Sequence, residues 1–128
     1  MSQNNGKIIV APSVIAGRGV LATEDIAADE LIEVCPIIII PANQVQIIHS
    51  TVLHDYYFLW GDDEQQAAIA LGYGSMYNHA THSNAAYKMD YEMLTIDIYA
   101  LRDIVAGEEI FINYHGAKSV DEDLWFEE

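Results

Sequence analysis

Three short stretches of this 128-residue chain carry side chains that could do chemistry: "GRGV" at Gly17 to Val20, "GSMYNHATHSNAAY" at Gly74 to Tyr87, and "GEEIFINY" at Gly107 to Tyr114. Glycines at Gly17 and Gly19 let a backbone approach a ligand and present N–H groups unobstructed by Cβ; a plain tight turn uses the same residues. "GRG" is too short for a dinucleotide fingerprint, and no βαβ pattern follows it. The middle stretch crowds two asparagines, two histidines and two tyrosines between segments that read as core. Such a cluster is either a satisfied polar loop or a binding surface. His79 and His82, three residues apart, are the one metal-ligand spacing present, but no thiolate and no clear third ligand accompany them, so no metal is expected. Tyr114 ends an apolar run, where a tyrosine usually serves as core or rim.

The elements that must hold these stretches in place are mostly strands. "KIIVAPSVIAGRGVLAT" reads as strand, glycine turn, strand. "ELIEVCPIIIIPA" is rich in β-branched residues and reads as a strand. Pro36 and Pro41 cannot donate ladder hydrogen bonds, which predicts that its ends lie at an edge or a bulge. From Ala42 to Phe58, Val45, Ile48, Val52 and Tyr56 fall at helical spacing, which predicts one short helix or two turns. "GDDEQQ" reads as an exposed acidic loop, and "MLTIDIYALRDI" alternates as a strand. "ATEDIAADELIEV" from Ala22 and "ALRDIVAGEEIFIN" from Ala100 share Ala, Asp, Ile, Ala and Glu at a constant offset of 78. Either two hairpins converge on similar turn chemistry, or two related β-units frame the irregular middle.

Length and composition bound the function. A chain of 14.3 kDa with 52% hydrophobic residues supports one packed domain. A net charge of −15, from 20 acidic residues against 5 Lys and Arg, opposes direct binding of nucleic acid or anionic membranes and suits basic partners; a solubilising surface would look the same. The single cysteine, Cys35, rules out an internal disulfide and a cysteine-built zinc cluster. "MSQNNGK" lacks the pattern of a signal peptide, and "VCPIIIIPA" is too short for a membrane span. The expectation is a soluble cytoplasmic or nuclear protein.

In order and spacing, "GRGV", "YNHATHSN" and "GEEIFINY" resemble the motifs of the SET-domain protein lysine methyltransferases, from about Ile8 to Tyr114 with a weaker echo to Trp125. The resemblance implies a mainly β fold, the β-clip of short strands with one or two short helices and a knot-like C-terminal crossing. It implies one domain over 1–128, with a core at 8–114 and a closing segment at 115–128. It also implies S-adenosylmethionine as cofactor, with Gly17, Arg18 and Gly19 holding its methionine part. "YNHATHSN" resembles the pattern "NHSxxPN", so Asn78 and His79 would bind the cofactor's amino acid and adenine. Ala80 and Ser83 stand where Ser and Pro are usual, while Asn84 is kept. Tyr114 falls on the catalytic tyrosine, Tyr56 on a channel tyrosine that Tyr57 could replace, and Tyr87 on a tyrosine that limits methyl number.

Methyl transfer to a neutral amine is an in-line displacement, in which positioning and electrostatics dominate. A lysine with a pKa of about 10.4 must first lose a proton, which a tyrosine-lined apolar channel favours by desolvation. The cysteine-rich flanks of many family members have no counterpart here, so Trp125 and Phe126 are expected to pack over adenine or wall the channel, or merely to dock the tail. The implied substrate is a lysine in a basic protein, a histone-like tail or a ribosomal protein. A catalytically inactive SET-like binding module is the alternative. Four consecutive isoleucines, Ile37 to Ile40, put apolar side chains on both faces of one strand, which predicts either a homodimer or cover from the 42–58 segment.

Overall fold

The computed structural model describes residues 3–13, 17–61 and 63–114. The closing segment 115–128, with Trp125, Phe126 and the expected knot-like crossing, lies outside the described residues.

Among the described residues ten strands form two sheets. They are β1 (Gln3–Asn4), β2 (Ile8–Pro12), β3 (Arg18–Ala22), β4 (Leu31–Ile40), β5 (Phe58–Trp60), β6 (Gln66–Ala70), β7 (Asn78–His79), β8 (Ala85–Asp90), β9 (Thr95–Ala100) and β10 (Glu109–Ile112). The larger sheet runs β5-β6-β4-β9-β8, with β1 added to β4; the smaller runs β2-β3-β10-β7. The two sheets share one core, in which Val20, Ile32, Ile96, Ile98, Ile110 and Ile112 are fully buried. Among the described residues no helix is long and apolar enough to cross a membrane.

The strand, glycine turn, strand reading of the N-terminal segment holds as the β2–β3 hairpin, paired from Ile8↔Ala22 to Pro12↔Arg18. Pro36 lies inside β4 and not at its end. There the missing N–H is tolerated because β4 changes partner at that point: Leu31 to Pro36 pair with β9, and Ile37 to Ile40 pair with β6. Pro41 stands at the N-terminal cap of the helix α1 (Ala42–His49). The apolar spacing from Val45 to Tyr56 does not stay helical. The chain leaves α1 at Ser50, and Thr51 caps a separate 3-10 turn over Val52–Asp55, accepting the Leu53 N–H at 3.1 Å.

The two stretches offset by 78 residues dock on each other reciprocally. Ile26 and Ile104 exchange backbone hydrogen bonds at 2.7 and 2.8 Å. The Ala28 N–H donates to Asp103 Oδ1 and the Ala106 N–H to Asp25 Oδ1, both at 2.9 Å. The Asp29 N–H reaches Ala100 O, and the Gly107 N–H reaches Ala22 O. Asp29 and Gly107, equivalent under the offset, share the left-handed backbone, at φ of 69° and 93°. The repeated turn chemistry is thus one structural device used twice, and it locks β3 to β10, which carry "GRGV" and "GEEIFINY".

Candidate active site

Glu108, just before β10, and Glu109, its first residue, face opposite ways, and this splits the acidic pair of "GEEIFINY". Glu108 turns to the repeat, pairing with Arg102 at 2.7 Å and accepting the Val105 N–H, which together hold its carboxyl below the usual range. Glu109 turns toward Ser13 and the cleft residue Asn78. Its carboxylate accepts from Ser13 Oγ and from Asn78 Nδ2, each at 2.7 Å. Asn78 Nδ2 also donates to Arg18 O at 3.0 Å. Both amide hydrogens of Asn78 are thereby used, which leaves its Oδ1 as the acceptor offered to the cleft it lines. Gly19 sits against the same pair, and a Cβ there would overlap the Glu109 carboxylate and the Asn78 amide. A side chain at 19 would therefore push this hydrogen-bonded pair out of place.

These groups edge a cleft of about 540 Å³. Gly17 and Arg18 form one side, His54, Tyr56 and Tyr57 another, and Ser75 to His79 with Tyr114 complete the lining. Parallel pairing of β7 with β10, Phe111↔Asn78 and Ile112↔His79, brings "YNHATHSN" beside "GEEIFINY". Asn84 secures this crossing from below: buried, it donates to Glu109 O at 2.9 Å and accepts the Phe111 N–H at 2.8 Å. The polar stretch therefore divides, with Ser75 to His79 lining the cleft and Asn84 inside the protein. Among the described residues no three His, Cys, Asp or Glu side chains could hold one metal ion.

Tyr114 stands at the end of β10 with its ring against Phe58, at a centroid distance of 4.8 Å, and stacked on His79 at 6.2 Å. Its hydroxyl donates to Tyr77 O at 2.5 Å, and its backbone N–H donates to His79 Nδ1 at 3.2 Å. Burial first, then Tyr56 and Tyr87, push its ionisation well above the usual tyrosine range. Tyr87 is not among the residues lining the cleft. It lies behind Tyr114, its hydroxyl donating to Tyr114 O at 2.8 Å and its ring edge-on to Phe58 at 4.9 Å. Tyr56 lines the cleft, 37% exposed, and Tyr57 lines it too with its hydroxyl on His49 Nδ1 at 2.9 Å. Glu109, Phe58 and the buried Glu33 do not line the cleft but contact Asn78, Tyr114 and Tyr77, which do, and the motifs did not single them out.

The residues present fit S-adenosylmethionine. The Asn78 Oδ1 acceptor suits an ammonium, the Arg18 guanidinium a carboxylate, and the glycine turn a ligand pressed against backbone.

The SET domain family model matches residues 17–115. A Schizosaccharomyces pombe protein named histone-lysine N-methyltransferase, H3 lysine-37 specific, is 38% identical over 113 residues, covering 88% of this chain and 71% of that protein. Among solved structures, a Plasmodium falciparum candidate histone methyltransferase is 30% identical, with a TM-score of 0.64, covering 84% of this chain and 92% of that one. A chain of a humanized mutant of the Chaetomium thermophilum Polycomb Repressive Complex 2 is 26% identical, with a TM-score of 0.67, covering 84% of this chain and 14% of its own length. Three motifs meeting at one cleft, and a family model spanning nearly all of that architecture, make this chain a member of the SET-domain family of S-adenosylmethionine-dependent protein lysine methyltransferases.

Proposed function

We propose that the chain methylates a lysine in a basic protein, a histone tail first and a ribosomal protein second, from a cytoplasmic or nuclear location. The observation that carries the site assignment is the Tyr114 hydroxyl, held on Tyr77 O inside the cleft. Its only hydrogen is committed to that carbonyl, so its lone pairs are what it can offer a neutral amine or a polarised methyl group. Gly17, Arg18, Gly19, Asn78 and His79 bind the cofactor, which supplies a methyl group on a sulfonium. Tyr56 walls the lysine channel. Tyr87, acting through Tyr114, limits methyl number, and Trp125 in the closing segment 115–128 completes the pocket. The histone preference rests on the S. pombe relative.

The outer face of β4 supports a homodimer. Ile38 remains 51% exposed there, Leu59 of the same sheet 43%, and α1 buries no residue, so the 42–58 segment leaves apolar surface uncovered.

Labelled S-adenosylmethionine, offered with a panel of histones and ribosomal proteins and followed by mass mapping, tests the reading. Methyl-lysine in a histone tail is the expected product. Saturable cofactor binding with no methylated product across the panel would replace the enzyme reading by the binding-module alternative.

A further inference from the structure

Of the charged side chains among the described residues, Glu33 alone is buried, at 1% exposure, in an otherwise apolar part of β4. The ion pairs of the described residues, Lys7–Glu30 and Arg102–Glu108, do not involve it. A carboxyl group in such a place is costly unless firm hydrogen bonds hold it. Oε1 accepts the Tyr77 hydroxyl at 2.7 Å and Oε2 accepts the Tyr73 N–H at 2.9 Å, with the Cys35 thiol as a further side-chain partner of the carboxylate.

Those two donors stand at the two ends of one short segment, the 3-10 turn Gly74–Met76. Two residues along the same face of β4, Cys35 meets the turn's first residue: a Cβ on Gly74 would lie 2.9 Å from Cys35 Sγ and 2.5 Å from Ala70 Cβ. The turn is thus seated on β4 and tied at both ends to one side chain. Its other side forms cleft wall through Ser75, Met76 and Tyr77. The Tyr77 carbonyl, at the end of this tether, holds the Tyr114 hydroxyl.

We propose that Glu33 is a positioning residue for methyl transfer: by bracketing the turn between Tyr73 and Tyr77, it fixes the carbonyl that orients the Tyr114 hydroxyl. This rests on the role given to Tyr114 above. A carboxylate suits the task because one planar group supplies two strong acceptors at fixed separation, which no apolar residue and no single hydroxyl provides. Glu33 touches neither substrate nor cofactor; its effect travels through Tyr77.

The test is a double-mutant cycle between Tyr77→Phe and Tyr114→Phe, with Glu33→Gln as the conservative variant. Tyr77→Phe keeps the ring and removes one tie. It should lower kcat about tenfold while the cofactor Kd by calorimetry stays within about twofold. In the Tyr114→Phe background, where no hydroxyl remains to be oriented, single-turnover rates should show almost no further loss from Tyr77→Phe. Glu33→Gln, which retains one acceptor and offers a donor to the Tyr77 oxygen, should lose less than Glu33→Ala. Without cofactor, amide hydrogens at 73–77 should exchange about tenfold faster in Tyr77→Phe, while those of β9 do not change. A folded Tyr77→Phe enzyme with wild-type kcat, or equal losses from Tyr77→Phe in both backgrounds, overturns the proposal and leaves Tyr114 in its role. Full activity in Tyr114→Phe overturns both.

Discussion

The hydrogen of the Tyr114 hydroxyl goes to Tyr77 O, and burial holds its ionisation up, so in the role proposed for it this residue is an oriented hydroxyl at neutral pH and not a phenolate base. Tyr114→Phe should therefore leave folding and cofactor affinity nearly intact while methyl transfer falls roughly a hundredfold or more, read by single-turnover labelling. Undiminished transfer would remove Tyr114 from the reaction. Tyr87 gives a pH signature of its own. Burial, aided by Glu64 and Tyr91, raises it from 10.0 to about 12. A raised folded value means that the native state holds the proton more tightly, so its stabilisation is complete below pH 10.0 and is lost as pH rises toward about 12. The stability gap in urea between wild type and Tyr87→Phe should stay level up to about pH 10 and close above it; a gap independent of pH up to 12 would contradict the burial. At this scale the sequence was legible in that its motifs bring Asn78, His79 and Tyr114 to one cleft. It was silent on Glu109 and Glu33, whose meaning depends on which strand face each occupies. The trace Glu33 leaves is a lone acid inside "LIEVCPIIII".

At the scale of elements, the offset of 78 between "ATEDI" and "ALRDI" proved the most informative local pattern, because the same backbone groups are capped in both copies. Asp25 and Asp103 each accept one N–H from the other copy. Asp25→Ala and Asp103→Ala should therefore cost about 1 kcal/mol each, and nearly the same as one another, in urea unfolding. A large cost for one and none for the other would mean that the symmetry is of shape only. Glu30 and Glu108 add a second matched pair: each accepts the N–H three residues before it, and each pairs with a cation, Lys7 or Arg102. Of the strands beside these turns, β9 was legible from alternation, β4 from its β-branched content and β3 from an apolar run after a glycine turn. β5 and β6 were not, because "FLW" and "QAAIA" are too short to show a period and the acidic loop between them dominates the composition. The helical spacing of the 42–58 segment, read as one short helix or two turns, resolves into α1 and a separate 3-10 turn, since Thr51 finds a local hydrogen bond that starts the new turn.

For the molecule as a whole, the charge of −15 and the exposed outer face of β4 govern what can approach it. If the acidic surface steers a lysine-rich substrate, kcat/KM for a basic peptide should fall several-fold between about 50 and 300 mM salt, mostly through KM, as the Debye length shortens. A flat profile would leave the charge a solubilising role. The same charge sets a condition on self-association, because two copies repel unless apolar contact outweighs the repulsion. Ile38 pairs with Ile69, and Ile40 with Ala67, so these side chains share the face of β4 opposite the core, with Ile38 the more open to solvent. β4 already has strand partners along both of its halves, which leaves side-chain packing across a two-fold axis as the way to cover this face. Light scattering at tens of micromolar should give a dimer mass that rises further toward completion with added salt, opposite in sign to the substrate effect. Ile38→Asp should return a folded monomer, with cofactor binding retained because the cleft lies on other elements. A monomer mass for the wild-type protein at low and high salt alike would reject the dimer and leave the outer face simply exposed.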